Sequence, residues 1–399
     1  SGVGAQSAAP IEAGESLSPA TAGAEAAAAA TEAITDPGVP GSAGDVPLPI
    51  TSVDEDGRPE FRTIQVDDAQ DARATARAVT SEVRADGGDV VAVEPQHTVG
   101  LDAVATDPGR PNQWALTQLD FESVWDTTTG GGLCVAVLDT GVQTTHPDLA
   151  GRIVATWDAT GQGVEDGHGH GTHVAGIIAA TANNGAGVAG AAPRVQLMVG
   201  KVLTNQGSGA DSWTAAGVVW AVDNGASVVN LSLGATCPQA NPSGCVSTAM
   251  QTAISYAQAH DVMIIAAAGN DGDPNSPANN PSYNYWSWPA AYSWPVAVAS
   301  VTSGQVRSSF STQASYVDVA APGSSIFSTY KGSTYAWASG TSMATPYVTA
   351  LAALLRAAHP AESGSQIAGR MTSTAIDLGT AGLDSSYGWG LIDPGAATA

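Results

Sequence analysis

Runs of consecutive apolar residues constrain the fold of this chain more than any other feature. Six such runs follow residue 105, separated by segments with helical patterns: 133–138, 195–203, 227–233, 262–268, 296–301 and 316–320. A strand covered by helices on both faces needs apolar residues at every position, whereas a half-exposed strand alternates. We therefore expect an α/β fold, with a doubly wound, mainly parallel sheet and helices on both faces.

The part of the chain before these runs divides in two. Residues 1–47 are rich in Ala, Gly, Ser, Pro and Glu and have no basic side chain. Too little apolar surface is available there to offset the entropy of ordering, so this acidic segment is predicted to be disordered. Residues 48–104 combine strand-like segments at 61–66 and 89–93 with a helical pattern at 71–84, which predicts a small α+β domain. Residues 105–399 form the third and largest predicted domain.

The charge balance excludes some functions. The chain has 37 acidic residues against 13 Lys and Arg, a net charge of −24. Binding to nucleic acid is disfavoured, because it needs clustered cations. No apolar run approaches the roughly 20 residues that span a bilayer, so no membrane partner is expected. The first residue is Ser1 and not Met, which fits either a removed signal peptide or an arbitrary chain boundary.

Two of the three cysteines flank a short loop. Cys237 and Cys245 enclose a segment that contains Pro, Asn and Gly, and a disulfide could close it. The alternative is a pair of free thiols, since the redox compartment is itself inferred.

Three glycine-flanked motifs contain the residues that suggest chemistry. Asp139 lies in Val-Leu-Asp-Thr-Gly-Val, His170 in Gly-His-Gly-Thr-His-Val-Ala-Gly, and Ser342 in Gly-Thr-Ser-Met-Ala-Thr-Pro. The patterns place Asp139 at the carboxyl end of a strand, where open α/β sheets build their sites, and the other two at helix starts. Taken singly, each has an ordinary explanation: a turn residue, a packed imidazole and a helix cap.

In this order, the three motifs resemble those of the subtilisin-like serine protease (subtilase) family. The resemblance implies that Ser342 is the nucleophile, His170 the general base and then acid, and Asp139 the residue that orients it. It also implies that Asn270, in Ala-Ala-Gly-Asn, donates to the oxyanion. His173 is then a packed helix residue.

The resemblance also implies where substrate binds. An extended peptide is expected between two backbone walls, with a pocket for the residue before the scissile bond and Ser287 near its floor. The implied residues are Gly207, Ser208, Gly209, Ser232, Leu233, Gly234, Ala267, Ala268, Gly269 and Ser287. A small floor residue favours large apolar side chains within a broad specificity. Asp211 stands where relatives often have an aromatic residue, which puts their usual preference at a more distant subsite in doubt.

A structural calcium site is a further implication of the resemblance, and no organic cofactor is expected. Its ligands would come from Asp107, Asp148, Asn183, Asn184 and Gly187. Carboxylate, amide and carbonyl oxygens are what Ca²⁺ prefers, although an Asn-Gly loop is also an ordinary turn.

The expected protein is a secreted, monomeric endopeptidase that acts on proteins and peptides through an acyl-enzyme. Residues 48–104 resemble a propeptide, which would act as chaperone and intramolecular inhibitor before the enzyme cuts it off. The alternatives are an accessory domain that stays attached, a subtilisin-like binding protein with a silenced site, and a narrow role in processing one partner.

Overall fold

The computed structural model describes residues 46–54, 59–66, 69–93, 105–238, 245–272 and 285–399. The chain divides into two compact units, one ending at Leu101 and one beginning at Asp102. All but the last two residues of the predicted disordered segment 1–47 lie outside the described residues, as does 94–104.

The first unit contains a three-stranded antiparallel sheet and one helix. The sheet order is β2-β1-β3, and the elements are β1 (Val46–Val53), β2 (Pro59–Val66), α1 (Ala69–Ala85) and β3 (Asp89–Val93). Ala76, Val79 and Val83 of the helix are buried, at the spacing of one helical face. The sequence reading missed β1, because its two prolines argue against a central strand.

The second unit is built on a seven-stranded sheet of order β12-β11-β9-β7-β4-β6-β5, whose neighbouring strands are all parallel. Its strands are β4 (Cys134–Asp139), β5 (Ile153–Asp158), β6 (Gln196–Lys201), β7 (Val228–Leu231), β9 (Met263–Ala267), β11 (Val296–Val301) and β12 (Val319–Pro322). Two antiparallel pairs lie outside it: β8 (Ala235–Pro238) with β10 (Tyr285–Trp288), and β13 (Ile326–Tyr330) with β14 (Thr334–Ala338).

Helices connect and cover these strands. They are α2 (Trp114–Gln118), α3 (Phe121–Val124), α4 (His170–Ala179), α5 (Asp211–Asp223), α6 (Thr248–Ala259), α7 (Thr341–Ala358), α8 (Gly364–Ser373) and α9 (Pro394–Thr398), with 3₁₀ turns at Arg110–Asn112 and Pro147–Leu149. None of the helices in the described part of the chain is long and apolar enough to cross a membrane.

The predicted α/β fold is confirmed, since successive residues of one strand enter opposite cores. In β4, Val135 and Val137 pack in the core that includes residues of α4 and α7, whereas Ala136 and Leu138 pack in the core of α5 and α6. Only β5 was missed among the strands of this sheet. It is an edge strand with partly exposed residues, so it lacks the continuous apolar run.

This topology positions the candidate site. β9, β7 and β4 are neighbours in the sheet, and their carboxyl ends lie on one edge because they are parallel. Asp139 ends β4, Ser232 follows β7, and Asn270 follows β9. Residues far apart in sequence therefore converge at this edge.

Candidate active site

Asp139 and His170 form a buried hydrogen-bonded pair. Asp139 is fully buried, and its Oδ1 lies 2.7 Å from His170 Nδ1 and also accepts the Thr140 N–H at 2.7 Å. With Nδ1 donating to the carboxylate, His170 Nε2 is the nitrogen left to accept a proton. The imidazole side chain is 24% exposed, so that proton can come from a bound molecule.

The pKa of His170 reflects opposing effects. Burial lowers it, but the negative charge of Asp139, the hydrogen bond to Asp139 and the charge of Asp166 together raise it above its ordinary value. An imidazole in such surroundings is a stronger base than a free one, as a general base requires.

Glycines allow the helix of His170 to start against the end of β4. Gly169 has φ +107°, and a Cβ there would lie 2.4 Å from the ring of Tyr330. A Cβ on Gly171 would lie 2.1 Å from the carbonyl oxygen of Gly141. Only glycine permits this close approach at both positions.

Ser342 is the second residue of α7, beside Ser232 of the neighbouring strand end. Its Oγ donates to the Ser232 carbonyl oxygen at 3.0 Å, and Ser232 Oγ donates to the Ser342 carbonyl oxygen at 2.8 Å. The described side chains include no hydrogen bond between Ser342 Oγ and His170. Proton transfer between them requires the Ser342 hydroxyl to turn away from Ser232.

Asn270 and the Ser342 backbone provide two donors near one point. The Asn270 side-chain oxygen accepts from Thr341 N at 2.9 Å and from Thr341 Oγ1 at 3.1 Å, which leaves the NH₂ group free to donate. A Cβ built on Gly340 would lie 3.6 Å from Ser342 N and 3.7 Å from Asn270 Nδ2. Because Gly340 has no side chain, the space between the two donors is open to a developing oxyanion.

The expected primary pocket is assembled around Ser287, which is buried. A Cβ on Gly234 would lie 2.6 Å from Ser287 Oγ, and a Cβ on Gly269 would lie 3.0 Å from Ser287 Cβ. The structure therefore brings Gly234 and Gly269 together at Ser287. Ala267 and Ala268 are buried behind this point, and the Ala268 carbonyl oxygen accepts the Tyr316 hydroxyl at 2.8 Å.

A cleft of about 500 Å³ lies beside His170. Both predicted backbone walls line it, through Gly207, Ser208 and Gly209 on one side and Ser232, Leu233 and Gly234 on the other. Gly207 has φ +78°, and a Cβ there would lie 3.2 Å from the ring of His168. Trp288 and Tyr292 also line the cleft, together with Asp211 at the start of α5.

The proposed calcium ligands lie together beside one loop. Asp107 and Asp148 are buried, and both carboxylates receive donors from the loop: Asn183 N and Gly185 N donate to Asp107, while Asn184 Nδ2 and Val188 N donate to Asp148. Burial raises the pKa of Asp148 in spite of these bonds. A Cβ on Gly187 would lie 2.1 Å from Asp148 Oδ2, so only glycine fits there.

The sequence reading missed a buried network behind Asp139. Lys201 is fully buried and lies opposite Asp139 in the register of the parallel strands β6 and β4. Its Nζ donates to the Thr140 carbonyl oxygen and to Asn205 Oδ1. Asp166 accepts from Thr140 Oγ1, and also from backbone N–H groups at both sides of His170. The position of Lys201 inside an apolar strand could have predicted this network, because a buried charge needs polar partners.

Two other predictions have clear outcomes. His173 is buried, and its Nε2–H faces the carbonyl oxygens of Ile326 and Ala336 at 3.1 and 3.0 Å, so it is a packed residue as predicted. Burial lowers its pKa to about 4, which keeps it neutral. Cys237 and Cys245 form the expected disulfide; residues 239–244 between them lie outside the described part.

The fold and the arrangement of Asp, His and Ser define an α/β serine hydrolase site. The family model described as the subtilase family matches residues 130–390, and the chain belongs to this family. It is therefore a subtilisin-type serine endopeptidase.

The similar proteins agree with this assignment. Thermitase of Thermoactinomyces vulgaris is 44% identical over 274 residues, covering 68% of this chain and 90% of that protein. Subtilisin Savinase of Lederbergia lenta is 44% identical over 286 residues, covering 71% of this chain and 98% of that one. A solved protease structure from Pseudoalteromonas arctica superposes with a TM-score of 0.64 at 32% identity, covering 74% of this chain and 99% of the other.

Proposed function

We propose that this protein is a secreted endopeptidase that cleaves peptide bonds through an acyl-enzyme, with Asp139, His170, Ser342 and Asn270 as its catalytic residues. The observation that carries the proposal is the 2.7 Å contact between Asp139 and His170 at the sheet edge where Ser342 begins a helix. A serine at a helix N-terminus has both a nucleophilic hydroxyl and a backbone N–H that favours negative charge.

In the proposed mechanism, Ser342 Oγ turns from Ser232 toward His170 and attacks the substrate carbonyl carbon. His170 Nε2 accepts the hydroxyl proton and later donates it to the leaving amine. Asp139 stabilises the imidazolium that forms in between. Ser342 N–H and Asn270 Nδ2 donate to the oxyanion at the space beside Gly340.

The peptide is proposed to bind as an extended strand between the two backbone walls, 207–209 and 232–234. The residue before the scissile bond would enter the pocket between Gly234, Gly269 and Ser287. The small side chain of Ser287 at the floor is proposed to favour large apolar substrate residues, and contacts made through backbone atoms favour a broad specificity.

The first unit is proposed to be a propeptide, which the enzyme itself removes within 94–107. The last described strand of this unit, β3, ends at Val93, immediately before this stretch. N-terminal sequencing of active protein tests the idea. A new terminus within 94–107 is expected, whereas an intact Ser1 terminus would show that the unit stays attached.

We also propose that Ca²⁺ binds beside Asp107 and Asp148 and stabilises the loop 183–188. Two buried carboxylates, amide side chains and loop carbonyls form the hard oxygen donor set that this ion prefers. Removing calcium with a chelator should lower the thermal unfolding temperature of the parent but not of Asp148→Asn. Equal shifts in both proteins would contradict this site.

Labelling with a fluorophosphonate probe tests the proposed nucleophile. The parent should be labelled and processed, while Ser342→Ala should be unlabelled and remain at full length. Labelling that persists in Ser342→Ala would place the nucleophile elsewhere. A processed parent that does not label would instead indicate a binding protein with a silenced site.

A further inference from the structure

One set of residues that line the cleft, Trp288, Tyr292, Met250 and Asp211, combines aromatic and apolar groups with one carboxylate, and we call the part that they line the recess. Trp288 and Tyr292 line it, with their rings edge to face at a centroid distance of 4.5 Å. Tyr292 is held in place, because its hydroxyl donates to the Ser247 carbonyl oxygen at 3.1 Å and accepts the Ser247 N–H at 2.9 Å. The recess therefore has a fixed aromatic surface.

One carboxylate, that of Asp211, stands at this recess. Asp211 is exposed at the first turn of α5, and its side chain has no hydrogen bond or ion pair with any described residue. Asp211 and Tyr292 line the same cleft, and burial, together with the charge of Asp211, raises the pKa of Tyr292. Asp211 is thus a free anion beside an aromatic surface.

Asp211 has no Lys or Arg neighbour among the described residues that line the cleft. The sequences 239–244 and 273–284, which the structure does not describe, also contain neither residue. Of the two lysines, Lys201 is buried behind Asp139, and Lys331 donates to the Gly167 carbonyl oxygen.

A cationic side chain with an apolar stem fits these groups best. Its stem can lie against Met250 and the rings of Trp288 and Tyr292, all of which line the cleft. Its charged end can pair with Asp211, and a guanidinium can also stack on an aromatic face. An acidic side chain would meet Asp211 and a protein of net charge −24.

We propose that the recess selects substrates with Arg or Lys upstream of the residue in the primary pocket, and that Asp211 determines this preference. The inference rests on the proposed peptidase function and names the substrate class for the same cleft. The recess adjoins the wall 207–209, along which an upstream segment of an extended peptide would run.

Matched peptides test the preference in turnover. Internally quenched peptides with Arg, norleucine or Glu at each of four upstream positions would be compared by kcat/KM. At low salt, kcat/KM for the peptide with Arg should exceed that for the peptide with norleucine by about tenfold at one position. A partly exposed ion pair and a cation–π contact each contribute a modest gain in binding free energy. The excess should shrink at high salt and disappear in Asp211→Asn.

Asp223→Asn is the control, because it removes the same charge from the other end of the same helix and Asp223 does not line the cleft. It should retain the preference for Arg. Equal rates for Arg and norleucine in the parent, or a preference that persists in Asp211→Asn, would overturn the proposal.

A binding measurement separates this proposal from the proposed function. In Ser342→Ala, released by an unrelated protease site placed within 94–104, fluorescence anisotropy would give Kd for the same peptides. A tighter Kd for Arg that is lost on adding Asp211→Asn supports the recess even if no peptide is cleaved. Equal Kd values would overturn the preference while leaving cleavage by the parent intact.

Discussion

The two halves of the active site are held in different ways. Asp139 and His170 are fixed by buried side chains, since Asp166 and Lys201 bind the turn after β4 and the start of α4. Ser342 and Asn270 are more exposed than Asp139. The Asn270 side-chain oxygen is held by hydrogen bonds from Thr341, and the space beside Gly340 is open. Changes behind the first half should therefore affect stability and pH dependence, and changes in the second half should affect mainly turnover.

Replacing Lys201 should produce the largest loss of stability. Lys201→Met leaves the Thr140 carbonyl oxygen and Asn205 Oδ1 without their ammonium donor, and each buried polar group left unpaired costs about 1–3 kcal/mol. Lys331→Met is the control, because it removes the only other lysine from an exposed position. Urea unfolding should show a large loss in the first variant and less than about 1 kcal/mol in the second.

The same variant should also shift the pH profile. His170 must be neutral to act as a base, so kcat/KM of the parent should rise with pH through a pKa above the ordinary histidine value. Without the positive charge of Lys201, the negative charges of Asp139 and Asp166 raise the pKa of His170 further. The acid limb should then move to higher pH in Lys201→Met; an unchanged limb would show that Lys201 acts only on stability.

Removing Asn270 should affect turnover far more than stability, although Thr341 loses the acceptor of two hydrogen bonds. Asn270→Ala should lower kcat by about 10² to 10³, the range known for the oxyanion asparagine of subtilisin, with little change in KM. Asn224→Ala, at the carboxyl end of α5, is the control and should leave kcat unchanged. A comparable loss of thermal stability in Asn270→Ala would contradict the distinction between the halves.

Substituting Gly169 and Gly340 by Ala compares the two halves of the site with the smallest change in side chain. Gly169→Ala forces a side chain at φ +107° into Tyr330, so it should destabilise by roughly 1–3 kcal/mol. Gly340→Ala meets no heavy atom closer than 3.6 Å and should unfold like the parent. Its methyl group would nevertheless occupy the space between the two oxyanion donors, and kcat should fall about tenfold or more. A Gly340→Ala variant that loses stability but keeps the kcat of the parent would contradict the assignment of this space to the oxyanion.

The sequence predicted the regular parts of this structure well. Continuous apolar runs are a direct consequence of burial on both faces, so six of the seven parallel strands were located from them. The edge strand β5 and the proline-containing β1 were missed, because partial exposure and missing N–H groups weaken the strand signal. Gly234 and Ser287, far apart in sequence, are brought together because β8 and β10 pair in the folded chain.

The supporting network of the site could not be predicted in the same way. Asp166 lies in a loop, and its role depends on five donors that converge only in three dimensions. The position of the Ser342 hydroxyl, toward Ser232 and not His170, is likewise a matter of rotamer. Motifs identify the chemical groups, whereas loop geometry determines which of them touch.

The central claim is that His170 and Ser342 act as one catalytic unit. The most direct test is the rate of peptide hydrolysis by His170→Ala, Ser342→Ala and the double variant, all released by the same inserted protease site. If the two residues act as one unit, the second substitution lowers the rate of hydrolysis hardly further than the first. Each single substitution should lower that rate by a factor on the order of 10⁶, as is known for subtilisin. The account predicts equal rates in the three variants; losses that multiply in the double variant would contradict it.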